Sequence, residues 1–452
     1  MLFEFRRTPM SGKNLSGQRS GRDAIGYALA ALNRFAGNRV VDRLGLRKPA
    51  ERVMFETTKA GFRTVGAASR SFKAVRRGGK PARLPAAPRQ DLFDLTPTDE
   101  QEMIRQTVRE FAAEKLRPAA ADADTKCAPP DGLLQQAAEL GVTLVGIPGE
   151  AGGIGDERSA VTGVLVAEAM AHGDMGLAVS CLAPSAVSTA LVAWGDETQQ
   201  AQYLPSFVGD DVPAAALAVL EPRPLFDPFD LRTRARRTGG GFVLDGVKSL
   251  VPRAADAELF VVAAELDGAP RLFLVESGTA GLSIEAEPSM GLRGAAMGRV
   301  VLDGVHLPAT ALLGERESYV ECVRSARIAW CALAVGTGQA VLDYVIPYVN
   351  DRVAFGEPIS HRQGVAFRVA DIATELEGMR LATYRAASRA EQGLPHARET
   401  ALARRLCAAK GMAIGSDGVQ LLGGHGFVKE HPVERWYRDL RAIGVAEGIV
   451  MV

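Results

Sequence analysis

The chain has 452 residues, of which 47% are apolar, and it carries 53 basic and 53 acidic residues. This length and composition predict a globular protein of two or three domains. We expect no secretory signal and no membrane-spanning helix, and hence a cytoplasmic location. The five cysteines form no CxxC pair and the six histidines have no paired-ligand spacing, so neither a disulfide framework nor a metal site is predicted.

The first 90 residues are strongly basic, with 20 Lys and Arg against 5 Asp and Glu, so the rest of the chain carries the matching acidic excess. Helical spacing predicts two amphipathic helices, within residues 25–36 and 55–72. Residues 20–75 could therefore make a peripheral contact with an anionic membrane, or dock their aromatic side on the protein body. A mitochondrial transit segment, in a eukaryote, is a third interpretation. Because the body is acidic, no nucleic-acid binding is expected.

The sequence texture divides the chain into four regions. Residues 1–90 are the basic extension, which ends in a linker rich in Gly and Pro. A helical domain is predicted over residues 91–210, where Thr98 and Gln101 have capping-box spacing, and a β domain over 211–312. A helical bundle is predicted over 313–452, with one apolar stripe at Val365, Val369, Ile372, Leu376 and Met379.

Six short segments occur in one order at compatible spacings: 145–153, 202–205, 290–294, 313–315, 352–356 and 420–427. With the order of helices, sheet and helices, they make residues 91–452 resemble the acyl-CoA dehydrogenase family. The resemblance implies an α+β fold with an N-terminal helical domain, a middle β domain and a C-terminal helical bundle. It also implies removal of hydrogen from the α and β carbons of an acyl-CoA thioester.

The resemblance implies FAD as the cofactor. A flavin dinucleotide needs small residues where its pyrophosphate approaches the chain, and the glycine-rich stretch before Phe427 supplies them. A tight turn between helices is the structural alternative for these glycines. The positions that match the family's cofactor-binding residues are Arg352, Phe355, Gln363, Gln420, Gly423, Gly424 and Gly448.

Glu447 matches the family's catalytic base, a carboxylate that takes the proton from the α carbon. It is flanked by small and apolar residues, which would desolvate it as such a base requires. Arg327 matches an arginine on the substrate side. Some relatives carry the base beside that arginine, where this chain has Ala326.

Three differences between this sequence and the family's usual pattern concern the predicted flavin site. Leu220 replaces a threonine, Pro252 ends a segment that usually reads Trp-Ile-Thr, and residues 449–452 replace a longer ending. A buried polar atom of the flavin would lack a partner, so three outcomes stay open: weak FAD binding, FAD binding only with a partner subunit, or no FAD binding. The alternative hypothesis is a non-catalytic subunit, or a membrane-surface scaffold, that pairs with an active homologue.

The resemblance also implies partners. They are an acyl-CoA substrate, an electron-transfer flavoprotein or similar acceptor, and a second copy of the chain in a homodimer or homotetramer.

Overall fold

The computed structural model describes residues 95–153, 158–209 and 211–452. These residues belong to one compact unit, Leu92–Val452. The basic extension, with its two predicted amphipathic helices, lies outside the described residues, and its proposed membrane contact stays a prediction. The bounds of the four predicted regions also stay predictions.

The described chain begins with helices. Thr98 caps the first one: its hydroxyl accepts from the backbone of Gln101, and the Gln101 side chain accepts from the backbone of Thr98. This is the predicted capping box. The helices are α1 (Asp99–Phe111), a π-helical turn (Ala112–Leu116), α2 (Arg117–Lys126), α3 (Leu133–Glu139), α4 (Ala160–Gly173), α5 (Met175–Trp194) and α6 (Glu197–Phe207).

Nine strands of the described chain form one sheet: β1 (Ala215–Ala218), β2 (Arg234–Thr238), β3 (Gly241–Val251), β4 (Leu259–Leu266), β5 (Ala269–Glu276), β6 (Leu282–Ala286), β7 (Gly298–Pro308), β8 (Leu312–Leu313) and β11 (Gly448–Ile449). Their order is β11-β1-β4-β2-β3-β7-β6, with β5 paired to β4 and β8. β1 and β2 are both parallel to β4, and the other pairs are antiparallel.

The remaining helices form the C-terminal bundle, which also contains the small hairpin β9 (Val353–Ala354) and β10 (Glu357–Pro358). In the predicted apolar stripe, Ile372, Leu376 and Met379 are buried, while the first two members are half-buried. The helices are α7 (Arg316–Asp351), α8 (Gln363–Glu391), α9 (Ala397–Leu422) and α10 (Val433–Arg441). Helices, sheet and helical bundle therefore follow in the predicted order, and the α+β class is confirmed.

By length and composition, α5 and α7 could each cross a membrane, contrary to the expectation from sequence. In this fold, however, 94% of the apolar window of α5 and 78% of that of α7 are buried inside the protein. Long apolar helices of this kind are typical of a helical core.

The sheet brings the end of the chain to the middle of the molecule. β11 pairs with β1, and the register sets Ile449 opposite Leu217 and Gly448 opposite Ala218. Trp330 of α7 donates its indole N–H to the Gly448 carbonyl at 2.8 Å. Glu447 therefore lies where the sheet edge meets the central helix of the bundle.

Candidate functional site

Glu447 lies in a segment that is tightly packed on both sides. Ala446 is fully buried, and the Glu447 side chain is only 12% exposed. Gly448 has φ +75°, and a Cβ atom added there would lie 2.6 Å from the Val219 side chain. Only glycine satisfies both conditions, so this residue brings Glu447 against the end of β1.

Arg327 of α7 holds the Glu447 carboxylate with two nitrogen atoms. Its Nε lies 3.0 and 3.2 Å from the two carboxylate oxygens, and its Nη2 lies 2.8 Å from Oε1. Burial alone would lower the pKa of Arg327, but the hydrogen bond and charge of Glu447 outweigh it and raise that pKa. The guanidinium is therefore a permanent cation that fixes the carboxylate.

A second guanidinium, that of Arg404 on α9, lies behind the same carboxylate. Its Nη2 is 3.8 Å from Glu447 Oε1 and donates to the carbonyl of Ala446, and its buried Nη1 has no hydrogen-bond partner among the described residues. Burial lowers the pKa of Arg404, and the charge of Glu447 opposes this in part. Nothing in the sequence pattern singled out Arg404, because helix spacing alone does not show which residues of another helix it faces.

An irregular segment after β1 covers the Glu447–Arg327 pair. The Phe229 ring lies 6.0 Å from the Arg327 guanidinium carbon and packs edge-on against Tyr319. The Tyr319 hydroxyl donates to the Pro228 carbonyl at 2.5 Å, which ties the segment to α7. This segment therefore places an aromatic ring against the cation that holds the candidate base.

Leu220 and Pro252, the positions where the sequence predicts a change at the flavin, are both buried. Leu220 is 5% exposed, and its carbonyl accepts a hydrogen bond from the backbone N–H of Ser249. Pro252, which is close to Ser249 in sequence, is also buried. Beside them Lys248, fully buried, donates to Glu221 at 3.1 Å. Burial lowers the pKa of Lys248 to about 8, against the opposing charge of Glu221.

The glycine-rich turn after α9 borders an open groove of about 840 Å³. Arg352 and Arg362 lie on one side of it, and the Tyr348 hydroxyl bonds to His425 Nδ1 at 2.8 Å on the other. Five residues predicted to bind the cofactor line this groove: Arg352, Phe355, Gln420, Gly423 and Gly424. Phe355 is 96% exposed, so its ring is available to a ligand.

The glycines of this turn divide into two kinds. A Cβ atom at Gly423 or Gly424 would meet no atom within 4 Å, so both face open space. A Cβ at Gly426 would lie 2.2 Å from the Val419 carbonyl oxygen, so Gly426 is needed for packing. Gly423 also ends α9 with φ +59°. The structural interpretation therefore holds for Gly426, and cofactor binding at Gly423 and Gly424 stays a prediction.

Two predicted cofactor residues lie elsewhere. Gln363 is exposed at the first position of α8, beyond the residues that line the groove. Gly448 lies at the sheet edge beside Glu447 and Arg327. Within this chain the predicted residues thus form two groups, one around the open groove and one around Glu447, and Gln363 belongs to neither.

Comparison with known protein families accounts for nearly all of the described chain. The acyl-CoA dehydrogenase N-terminal, middle and C-terminal domains match residues 98–211, 216–305 and 318–449. The chain belongs to the acyl-CoA dehydrogenase family.

Individual relatives agree with this assignment. The short/branched chain specific acyl-CoA dehydrogenase, mitochondrial, of Rattus norvegicus is 32% identical over 78% of this chain and 83% of its own. The butyryl-CoA dehydrogenase structure from Megasphaera elsdenii is 27% identical, covers 79% of this chain and 96% of its own, and has a TM-score of 0.73. A glutaryl-CoA dehydrogenase from Mycobacterium smegmatis, solved in complex with FADH2, is 25% identical, covers 78% and 92%, and has a TM-score of 0.71.

Proposed function

We propose that this acyl-CoA dehydrogenase family member removes hydrogen from the α and β carbons of an acyl-CoA thioester, with FAD as cofactor and Glu447 as base. The observation that carries the proposal is the Glu447 carboxylate, which is shielded from water and held by Arg327 in the segment that matches the family's base. An isolated solvated glutamate would have neither feature.

The groove around the glycine-rich turn suits the adenosine and pyrophosphate portion of FAD. Arg352 and Arg362 offer charged donors, Phe355 an exposed ring, and Gly424 an approach without a side chain. At the ring end, the side chains of Leu220 and Pro252 cannot donate a hydrogen bond, so backbone N–H groups would have to serve. These hydrogen-bond donors fit the adenosine and pyrophosphate portion of FAD and hold its flavin ring less tightly.

In the proposed reaction Glu447 takes the proton from the α carbon. Arg327 makes two contacts with Oε1 and one with Oε2, so a lone pair of Oε2 is left to accept that proton. Arg327 then remains to orient the carboxylate, whose side chain is only 12% exposed. FAD, when bound, supplies the acceptor for the hydride that leaves the β carbon.

The test is the visible spectrum of the purified protein, before and after incubation with FAD, followed by turnover of butyryl-CoA. We expect a yellow protein after reconstitution. Glu447→Gln should keep the flavin spectrum and reduce turnover by about three orders of magnitude, within the range for loss of a general base. Glu430→Gln, at an exposed position, is the matched control. A protein that cannot take up FAD, or a Glu447→Gln variant with unchanged turnover, would refute the proposal.

The second candidate function is a non-catalytic subunit that pairs with an active homologue. It is favoured by the apolar side chains of Leu220 and Pro252 where the family has flavin contacts. For an active enzyme we propose an electron-transfer flavoprotein as acceptor and a homodimer or homotetramer as the assembly. Light scattering of the purified chain, alone and mixed with a homologue from the same source, separates the two assemblies.

A further inference from the structure

The carbonyl groups on both sides of Glu447 are held by side chains from two helices. Arg404 of α9 donates from its Nη2 to the Ala446 carbonyl. Trp330 of α7 donates its indole N–H to the Gly448 carbonyl at 2.8 Å. Both donors lie inside the protein, since the Arg404 side chain is only 12% exposed and Trp330 is fully buried. The backbone that carries the candidate base is therefore fixed on either side of it.

The same nitrogen of Arg404 also faces the carboxylate of the base. It lies 3.8 Å from Glu447 Oε1, and Arg327 contacts this oxygen at 2.8 and 3.2 Å. Oε2, by contrast, has one contact from Arg327, at 3.0 Å. An oxygen that faces two cations is the poorer proton acceptor, because the cations hold its lone pairs and repel an added proton. Oε2 is therefore the oxygen that remains for the proton.

Glu447 is also the counter-charge of Arg404. Besides Glu447, the groups near Arg404 that could carry a negative charge are the thiols of Cys331 and Cys407. Burial raises the pKa of Cys331 well above its usual value, and this thiol is hydrogen-bonded to Cys407. Arg327 adds a second positive charge on the other side. The cluster thus contains two guanidinium groups and one carboxylate, and the carboxylate is what both of them share.

Arg404 is a costly residue at this position. Its buried Nη1 has no hydrogen-bond partner among the described residues, and a buried donor without an acceptor destabilises a fold. Burial also lowers its pKa, which reflects the cost of keeping the cation out of water. An apolar side chain of similar volume is often as stable as a buried ion. Packing alone therefore does not explain a guanidinium here, whereas a segment that must present its carboxylate in one orientation does.

We propose that Arg404 is a positioning residue for proton abstraction. With Arg327 it fixes Oε1 of Glu447, and through the Ala446 carbonyl it fixes the backbone of the base, so that Oε2 receives the proton. In this step the C–H bond at the α carbon breaks and its proton passes to Oε2. The electron pair moves onto the thioester as an enolate, and loss of the hydride from the β carbon then removes that charge. The proposal rests on the proposed function, because it takes Glu447 as the base.

Proton transfer by itself is measured as exchange of the α hydrogen. The FAD-loaded full chain is incubated with butyryl-CoA in D2O, without oxygen or an electron acceptor, and mass spectrometry follows deuterium at the α carbon. Arg404→Met should exchange at least about ten-fold more slowly, since a small displacement of a catalytic group has an effect of this size or larger. Arg404→Lys keeps the positive charge and should recover part of the rate. Arg405→Gln, at the next and exposed position, should exchange at the wild-type rate.

Steady-state turnover separates positioning from a structural role. Arg404→Met should lower kcat at least about ten-fold and leave KM within about two-fold, because the residue contacts the base and not the substrate. A raised KM at unchanged kcat, or equal rates for Arg404→Met and Arg404→Lys, would overturn the proposal. If Arg404→Met does not fold, Arg404→Lys decides. Its ammonium lacks the planar fork of a guanidinium, so kcat should fall at least about three-fold at constant KM, and wild-type kcat would overturn the proposal.

The two proposals fail in different ways. If Glu447→Gln exchanges the α hydrogen as fast as the wild type, Glu447 is not the base, and both proposals are wrong. If exchange depends on Glu447 but Arg404→Met exchanges at the wild-type rate, the proposed function stands and the positioning role is wrong.

Discussion

The groove at the glycine-rich turn is open, whereas the surroundings of Glu447 are filled by the chain itself. Around the groove, Gly424 and Phe355 face space that a ligand could enter. Around Glu447, two guanidinium groups hold the carboxylate and residues 450–452 fill the adjoining cleft. An open site needs only side chains of the right chemistry, whereas a filled site must also release its own contacts before a ligand can bind.

This difference has an energetic consequence. A ligand at the groove gains its contacts directly. A ligand at Glu447 gains only the difference between its own contacts and those it displaces. We therefore expect substitutions in the filled region to change stability, and substitutions at the groove to change cofactor affinity.

The largest stability effect is expected at the buried ion pair of Lys248 with Glu221, the residue that follows Leu220. Lys248→Met leaves the Glu221 carboxylate without its buried cation and should lower the free energy of unfolding at pH 7 by about 3 kcal/mol. Burial lowers the pKa of Lys248 from 10.5 to about 8, so between these values the unfolded chain binds more protons than the folded chain. The wild type should gain stability relative to the variant as the pH rises through this window.

Urea unfolding of both proteins at about pH 7 and about pH 9.5 measures this difference. If the difference in unfolding free energy between the two proteins stays constant or narrows from about pH 7 to about pH 9.5, the lowered pKa of Lys248 is contradicted.

The two kinds of glycine should respond differently to substitution by alanine. Gly426→Ala forces a Cβ atom against the Val419 carbonyl oxygen and should cost about 2 kcal/mol of stability. Gly424→Ala, two residues away, should change stability by less than about 0.5 kcal/mol and weaken FAD binding instead. Thermal unfolding and a flavin fluorescence titration of both variants measure these effects. Equal loss of stability in the two would mean that the turn is purely structural.

Arg327→Gln should have an intermediate effect. The amide cannot reproduce the two-nitrogen contact with Glu447, and loss of a hydrogen bond to a charged group costs about 1.5 kcal/mol. Arg398→Gln, on an exposed helix surface, is the control. Denaturant midpoints provide the measurement, and identical midpoints for the two variants would show that the pair contributes nothing to the fold.

The smallest effect is expected at the flavin side. Leu220→Thr introduces a hydroxyl that could pair with a polar flavin atom, and a gain of about 1 kcal/mol would tighten FAD binding about five-fold. Leu402→Thr, at a half-exposed helix position, controls for the substitution itself. Flavin fluorescence gives both dissociation constants. Unchanged affinity at position 220 would mean that this residue is remote from the cofactor.

Local patterns predicted the fold well because each depends on neighbours in sequence. The Thr98 capping box formed as expected, and the helical stripe through Ile372 and Met379 faces the core. The membrane-crossing potential of α5 was underestimated, since Ser, Thr and Gly interrupt its apolar run while its mean hydropathy stays high. Its position inside the fold follows from packing against other elements.

The sequence by itself determined the family, the order of helices and sheet, and the candidate base Glu447, because these rest on ordered motifs and local periodicity. Only the tertiary structure decided what surrounds that base. Arg404 is far from Glu447 in sequence, and residues 450–452 gave no signal that they lie between three helices. Such contacts depend on how distant helices and strands pack, and no spacing along a single chain encodes that directly.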